Sequence, residues 1–267
     1  MSIEATTEQQ TLVKEGVLPE VPLPPTNLVF DDGEPLETNR HRIAMNVLID
    51  SLLQAFQDKT DFFVGGNMFV YYSRNQAMNR DFRGPDFFVV LDVDGNRERQ
   101  GWVVWEEEGR YPDVIVELMS SSTAKIDRTE KKNIYERTFH TLEYYIYDPF
   151  DPKSLEGWRL DARRRYQPLQ PSENSWLWCE TLGLWLGLWE GSIRREPPAG
   201  TCQWLRFYDQ EGDLILLPGE VAEQERQRAE QESQRAEQER QRAEQERQRA
   251  ERLAARLRAL GENPDAI

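Results

Sequence analysis

A full charge in the middle of a β-branched, apolar run constrains this chain more than any other feature: residues 114–119 read Val-Ile-Val-Glu-Leu-Met. A run of that composition is long enough for one buried strand. Glu117 is then carried into the interior, where a carboxylate is costly unless it is paired or bound to a metal. A second apolar run, Phe87 to Leu91, is preceded by Pro85-Asp86. The proline restricts the entry to that strand and puts Asp86 at its start. If the two strands are neighbours, their spacing of about 4.8 Å lets both carboxylates reach one ion. Pro112-Asp113 repeats the dipeptide, but four extended residues span about 13 Å, so Asp113 cannot share an ion with Glu117.

The next segment supplies a cation. Asp127, Lys131 and Tyr135 are spaced i, i+4, i+8 and share one helical face, so Lys131 can point back toward the strands. Lys132 faces about 100° away at ~3.6 residues per turn. Two acids and a lysine are the residue types that hold a divalent cation beside a phosphodiester. The competing reading is a buried Glu117–Lys131 salt bridge without metal or catalysis, which leaves Asp86 unexplained.

The order of motifs resembles the PD-(D/E)XK nuclease superfamily and, within it, the Uma-type family of restriction-endonuclease-like proteins. The resemblance spans about Glu37 to Leu217. It rests on Gly65-Gly66-Asn67, Tyr71-Tyr72-Ser73, Pro85-Asp86 and Glu117-Leu118-Met119-Ser120-Ser121-Ser122-Thr123, then Asp127, Glu130-Lys131, Tyr135, Glu143-Tyr144 and Asp148-Pro149. The superfamily's usual lysine follows the second acid by two residues, on the same face of the strand. Here that position is Met119. The family pattern implies that the lysine comes from the next helix, which points to Lys131, with Lys125 on the intervening loop as the other candidate. The resemblance further implies Mg²⁺ or Mn²⁺ on Asp86 and Glu117, a water activated for phosphodiester hydrolysis, and Lys131 acting on that water or on developing charge. Glu37 matches the family's accessory carboxylate near the first helix. Asp127 and Tyr135 are further accessory candidates.

Charge complicates a nucleic-acid partner. The chain's formal charge is −15. From Val221 to Leu260 ten Arg and nine Glu nearly cancel, so the acidity belongs to the rest. DNA is the partner that the resemblance implies, held weakly, since phosphate contacts want positive surface. Arg80 and Arg83, just before Asp86, are candidate contacts, with Arg163-Arg164-Arg165 as a second basic group. Two cysteines, Cys179 and Cys202, give neither a disulfide framework nor a zinc site, and only His41 and His140 are available for histidine chemistry. No signal peptide or membrane span is legible, so a cytoplasmic protein is expected.

Three regions follow: an extended or disordered, proline-containing arm (1–30), a domain (31–217) and a charged helix with its tail (218–267). An apolar stripe at helical period over 39–57, capped by Thr38 or Asn39, predicts the first helix. Strand signals follow at 62–64, 68–72, 87–91, 102–105, 114–119 and 144–147. A hairpin is predicted from 204–208 and 214–217 around Glu211-Gly212. Together they predict an α/β (α+β) mixed sheet flanked by helices, in agreement with the restriction-endonuclease-like fold that the resemblance implies. Trp176, Trp178, Trp185 and Trp189 read as core or interface in preference to a sugar platform. From Ala222 a seven-residue repeat, Ala-Glu-Gln-Glu-Arg-Gln-Arg, offers only alanine as an apolar stripe, with Glu where a coiled coil wants Leu. A solvated helix is the reading. Leu253, Leu257 and Leu260 leave room for weak homo-oligomerisation. The rival from another class is an inert interaction module in which this helix is the working part.

Overall fold

In the computed structural model of the protein, residues 25, 28–30, 38–79 and 83–259 are described. The first helix, α1 (Asn39–Ala55), begins where Thr38 Oγ1 accepts the His41 amide at 3.3 Å. It buries Ile43, Ala44, Val47, Leu48 and Leu52, the stripe that its sequence shows. Then come β1 (Phe62–Gly65), β2 (Val70–Tyr71), the short helix α2 (Arg74–Met78), β3 (Phe87–Leu91) and β4 (Trp102–Val103). β5 (Val114–Leu118) leads into a helical segment, 124–139, and β6 (Glu143–Asp148). Five further strands are β7 (Asp151–Leu160), β8 (Tyr166–Pro168), β9 (Leu177–Cys179), β10 (Leu184–Gly191) and β11 (Cys202–Tyr208). A helix, Pro218–Ala259, closes the described chain.

Six strands form the main sheet in the order β1-β3-β5-β6-β7-β8. Only β5 and β6 run parallel, because the helical segment between them is a crossover; the other neighbours are antiparallel. Side chains alternate across this sheet. Phe87, Val89, Val114, Val116, Leu118, Tyr145 and Tyr147 pack toward α1 and a smaller sheet, β11-β10-β9. Phe88, Val90, Ile115, Met119, Tyr144 and Ile146 pack with Tyr135 and Phe139 of the helical segment. Both faces are covered, which is why the central strands read as unbroken apolar runs. The fold is thus the mixed sheet flanked by helices that the sequence predicts.

Three strand assignments need correction. Of 102–105 only Trp102 and Val103 are extended, and Val104–Glu106 wind into a 3-10 turn. Of 68–72 only Val70 and Tyr71 form a strand, pairing in parallel with β4. Residues 214–217 make no strand: one bridge joins Tyr208 to Leu214, and the chain then turns into the helix at Pro218. Trp204 is buried, whereas Trp176, Trp178, Trp185 and Trp189 are half-buried. Trp176 stacks on Tyr208 with centroids 4.0 Å apart, and Trp178 lies 5.0 Å from Trp185.

None of the 42 residues of the C-terminal helix is buried. At ~1.5 Å per residue it is about 63 Å long. Glu223–Arg226, Glu237–Arg240 and Glu244–Arg247 pair at i, i+3 along it. Its first turn is tied to the domain: Glu220 Oε2 accepts from the wholly buried Arg206 at 2.7 Å and from the Leu217 amide at 2.8 Å. Among the described residues no helix is long and apolar enough to cross a membrane. The arm's residues 1–24 and Leu260 lie outside the described residues.

Candidate active site

β3 and β5 pair with Phe87 opposite Val116. Extending that register by one residue brings Asp86 opposite Glu117, on one face of the sheet. Asp86 Oδ2 accepts the Leu118 amide at 2.8 Å, so the carboxylate of one strand finishes the ladder of the other. The Gly65-Gly66 motif serves this edge. A Cβ on Gly66 would lie 2.7 Å from the Asp86 carbonyl oxygen, so no larger residue fits, and the Asn67 amide donates to the Pro85 carbonyl at 3.0 Å.

Glu117 is completely buried and faces the helical segment. Lys131 Nζ donates to its Oε2 at 2.9 Å, and the Tyr135 hydroxyl donates to its Oε1 at 2.7 Å. Lys131 Nζ also lies 2.8 Å from Asp127 Oδ1. Lys131 thus bridges the buried carboxylates of Glu117 and Asp127. Asp127, Lys131 and Tyr135 therefore do share one face, but the helix achieves this by a device that the sequence does not reveal. Asp127–Lys131 and Tyr135–Phe139 wind as π-helix. In an α-helix, residues four apart drift about 40° per step. The wider i→i+5 turns cancel that drift, and Asp127, Lys131, Tyr135 and Phe139 line up toward the sheet.

The electrostatics follow from this crowding. Burial, then the charge of Glu117, pushes the Asp86 carboxyl well above its ordinary range, against the opposing pull of Lys131 and the Leu118 amide. Asp127 is raised by burial and by Glu117. Burial alone would lower the Lys131 ammonium, but Glu117, Asp127 and Asp86 more than reverse this and hold it charged. Burial and Glu117 raise the Tyr135 hydroxyl, which stays a proton donor.

The other sequence candidates are placed differently. Lys132 lies 3.7 Å over the Trp158 ring, away from the carboxylates. Lys125 is exposed, six residues before Lys131. Arg83 pairs with Glu130 at 3.0 Å. Asp113 accepts the Leu91 amide at 2.8 Å, at the far end of β5 from Glu117. Glu37 and Arg80 lie outside the described residues.

Two residues without a role in the sequence reading prove structural or adjacent to the site. Glu143, wholly buried, accepts from Arg159 Nε, the Thr181 amide and Cys179 Sγ at 2.8, 2.9 and 3.0 Å. Burial would raise its carboxyl, but those donors outweigh burial and lower it. A charged residue opening an apolar strand was its sequence signal, as for Glu117. His41, on α1, reaches Met119 O with Nε2 at 3.1 Å and so joins the helix to the end of the Glu117 strand. Its place on the apolar face of α1 was the only signal.

The chain matches the family model Uma2, described as "Putative restriction endonuclease", over residues 22–191, more than half its length. The protein belongs to the Uma2 family. Among solved structures it is similar to "a putative nuclease belonging to DUF820 from Anabaena variabilis ATCC 29413", at 14% identity and a TM-score of 0.40, over 60% of this chain and 86% of that one. No curated protein sequence is significantly similar to this chain.

The donor set suits one hard cation. Among the described residues no group of three or more His, Cys, Asp and Glu side chains has the spacing of a metal cage. Mg²⁺ needs no such cage, since it takes one or two carboxylates and keeps several waters. Asp86, whose carboxyl burial and then Glu117 push up, stands across from Glu117 on the same face of the sheet, and a cation there would relieve that crowding of carboxylates.

Proposed function

We propose that this Uma2 protein is a metal-dependent nuclease that hydrolyses phosphodiester bonds, with DNA as its substrate. The observation that carries the reading is the cross-strand pair Asp86–Glu117 with Lys131 2.9 Å from Glu117. The family assignment supplies the reaction class, and the site supplies the parts. Asp86 and Glu117 would hold Mg²⁺ or Mn²⁺, which supplies charge at the phosphate and lowers the pKa of a coordinated water.

Each side chain then has a task. Asp86 is fixed by the Leu118 amide, so its carboxyl stands beside Glu117 in a preset position. Tyr135 holds Glu117 Oε1 and thereby sets the plane of that carboxylate. Lys131, kept cationic by three carboxylates, can turn from Glu117 to the non-bridging oxygens or to the attacking water, where it offsets charge as it develops. Asp127 shares the ammonium and limits its swing. The acidity of the domain makes affinity low at physiological salt, so binding depends on these local groups.

The saturation of Glu117 by Lys131 and Tyr135 also favours a second reading, a structural ion-pair network in an inert interaction module. One experiment separates the two. Purified full-length protein is incubated with plasmid and single-stranded DNA in Mg²⁺ or Mn²⁺, beside Asp86→Asn and Glu117→Gln. Wild type should cleave and both variants should lose at least a hundredfold in rate while staying folded by circular dichroism. Cleavage that persists unchanged in both variants, or none by wild type in either metal, rejects the nuclease reading.

A further inference from the structure

A cavity of about 420 Å³ opens at the carboxyl ends of the parallel strands β5 and β6, lined by Thr38, His41, the loop Ser120 to Ser122, Asp148 and Phe150. Ser120 is three residues beyond Glu117, so the cavity shares a sheet edge with the carboxylate pair. Ligands of open α/β sheets collect at that end of the strands. The volume lies in the range of small-molecule sites.

Its wall is unusual in one respect. Phe150 is 54% exposed, although it stands on a pinned turn: its amide donates to Asp148 Oδ1 at 2.8 Å, and the Asp148 amide donates to Ser154 Oγ at 2.7 Å. The Arg40 guanidinium lies over the ring, 4.3 Å from its centroid, and is itself held by Glu196 at 3.0 Å. With that guanidinium over the ring and the His41 ring packed beside it at a tilt, centroids 5.8 Å apart, a little over half of the residue is left open to the cavity and solvent. A rigid, half-open aromatic ring beside hydroxyls and a carboxylate has the chemistry of a base-stacking surface. The Asp148 carboxylate argues against a phosphate as occupant and for a group that donates hydrogen, such as the exocyclic amine of cytosine or adenine.

We infer that this cavity holds a nucleobase of the strand whose backbone lies at Asp86, Glu117 and Lys131, stacked on Phe150 with its amino edge toward Asp148; this rests on the nuclease reading above. The cavity favours an unstacked base, and hence single-stranded or locally opened DNA, since a paired base keeps its faces covered.

The test uses full-length protein and fluorescein-labelled 12-mers of oligo-dC, oligo-dT and an abasic chain, at fixed salt, in Ca²⁺ to hold turnover. Stacking on one aromatic ring is measured at roughly 5- to 150-fold per base. Wild type should bind oligo-dC at least about tenfold tighter than the abasic chain. Phe150→Ala should reduce that ratio to about threefold or less, and Phe150→Trp should restore it. Asp148→Asn should erase the preference for oligo-dC over oligo-dT. A ratio that survives Phe150→Ala refutes the base site and leaves the nuclease reading standing. Failure of wild type to bind any of the three chains overturns both.

Discussion

Neutralising Asp86 should make the protein more stable, not less, and should abolish its response to divalent metal. The carboxylate is raised first by burial and then by Glu117, while Lys131 pulls the other way with smaller effect. Two unit charges about 4 Å apart interact by about 4 kcal/mol at an effective dielectric of ~20. Lys131 cancels part of the repulsion, which leaves a net strain of about 1–2 kcal/mol. Asp86→Asn removes it and keeps the shape, since an amide oxygen can still accept the Leu118 amide. For a domain of this size that corresponds to roughly 2–8 °C in Tm. The pH dependence has a definite sign. A carboxyl raised in the folded state binds more protons there than in the unfolded chain, so stability falls as pH rises from about 3.9 through the higher folded value. The gap between Asp86→Asn and wild type should therefore open above about pH 4 and stay open at neutral pH. Thermal melting in EDTA from pH 4.5 to 8, repeated with Mg²⁺ or Mn²⁺, is the assay. Metal at about 100 times its Kd should add about 2.7 kcal/mol to wild type and nothing to the variant. An Asp86→Asn protein that melts below wild type at pH 7.5 in EDTA, or that gains as much from metal, would refute the reasoning.

The helix and its anchor offer two more tests. Lys131→Met strips Glu117 of its ion-pair partner and should cost about 3 kcal/mol along with nearly all cleavage. Lys132→Met loses only a contact with Trp158, about 0.5–1 kcal/mol, and should keep cleavage, so equal effects in urea unfolding and turnover would overturn the assigned geometry. Glu220→Ala should cost about 3 kcal/mol by leaving buried Arg206 unpaired, and truncation after Gly219 should cost the same. Truncation after Gln227 should be nearly silent in urea unfolding; a silent Glu220→Ala would show that Arg206 does not need its partner.

The fold was legible where local pattern and burial agree. The stripe of α1 and the apolar runs of β3, β5 and β6 each name their own element, and the charge inside β5 marks the place where the sheet meets the crossover. What failed were short pieces whose state is set from outside. Residues 214–217 have the composition of a strand, yet the chain there is committed to delivering Glu220 to Arg206, and Leu217 gives its amide to that same carboxylate. The first turn of the helix is therefore tied to the domain through Glu220. Contacts of this kind join residues 14 apart with no periodic trace.

The site was legible as a set of residue types and less so as a geometry. Period two forecasts that Asp86 and Glu117 share a face once their strands are neighbours, and the observed register provides it. Spacing by four forecasts that Asp127, Lys131 and Tyr135 share a helical face, but a regular α-helix would carry the first and third 80° apart. A lysine borne on β5 itself needs no such help, because the strand fixes its direction relative to Glu117. Here Met119 fills that position, packed into the apolar layer with its carbonyl bonded to His41. Moving the lysine to the crossover transfers the problem of alignment to the helix. The π-wound segments solve it by bringing Lys131 and Tyr135 onto the two oxygens of one carboxylate.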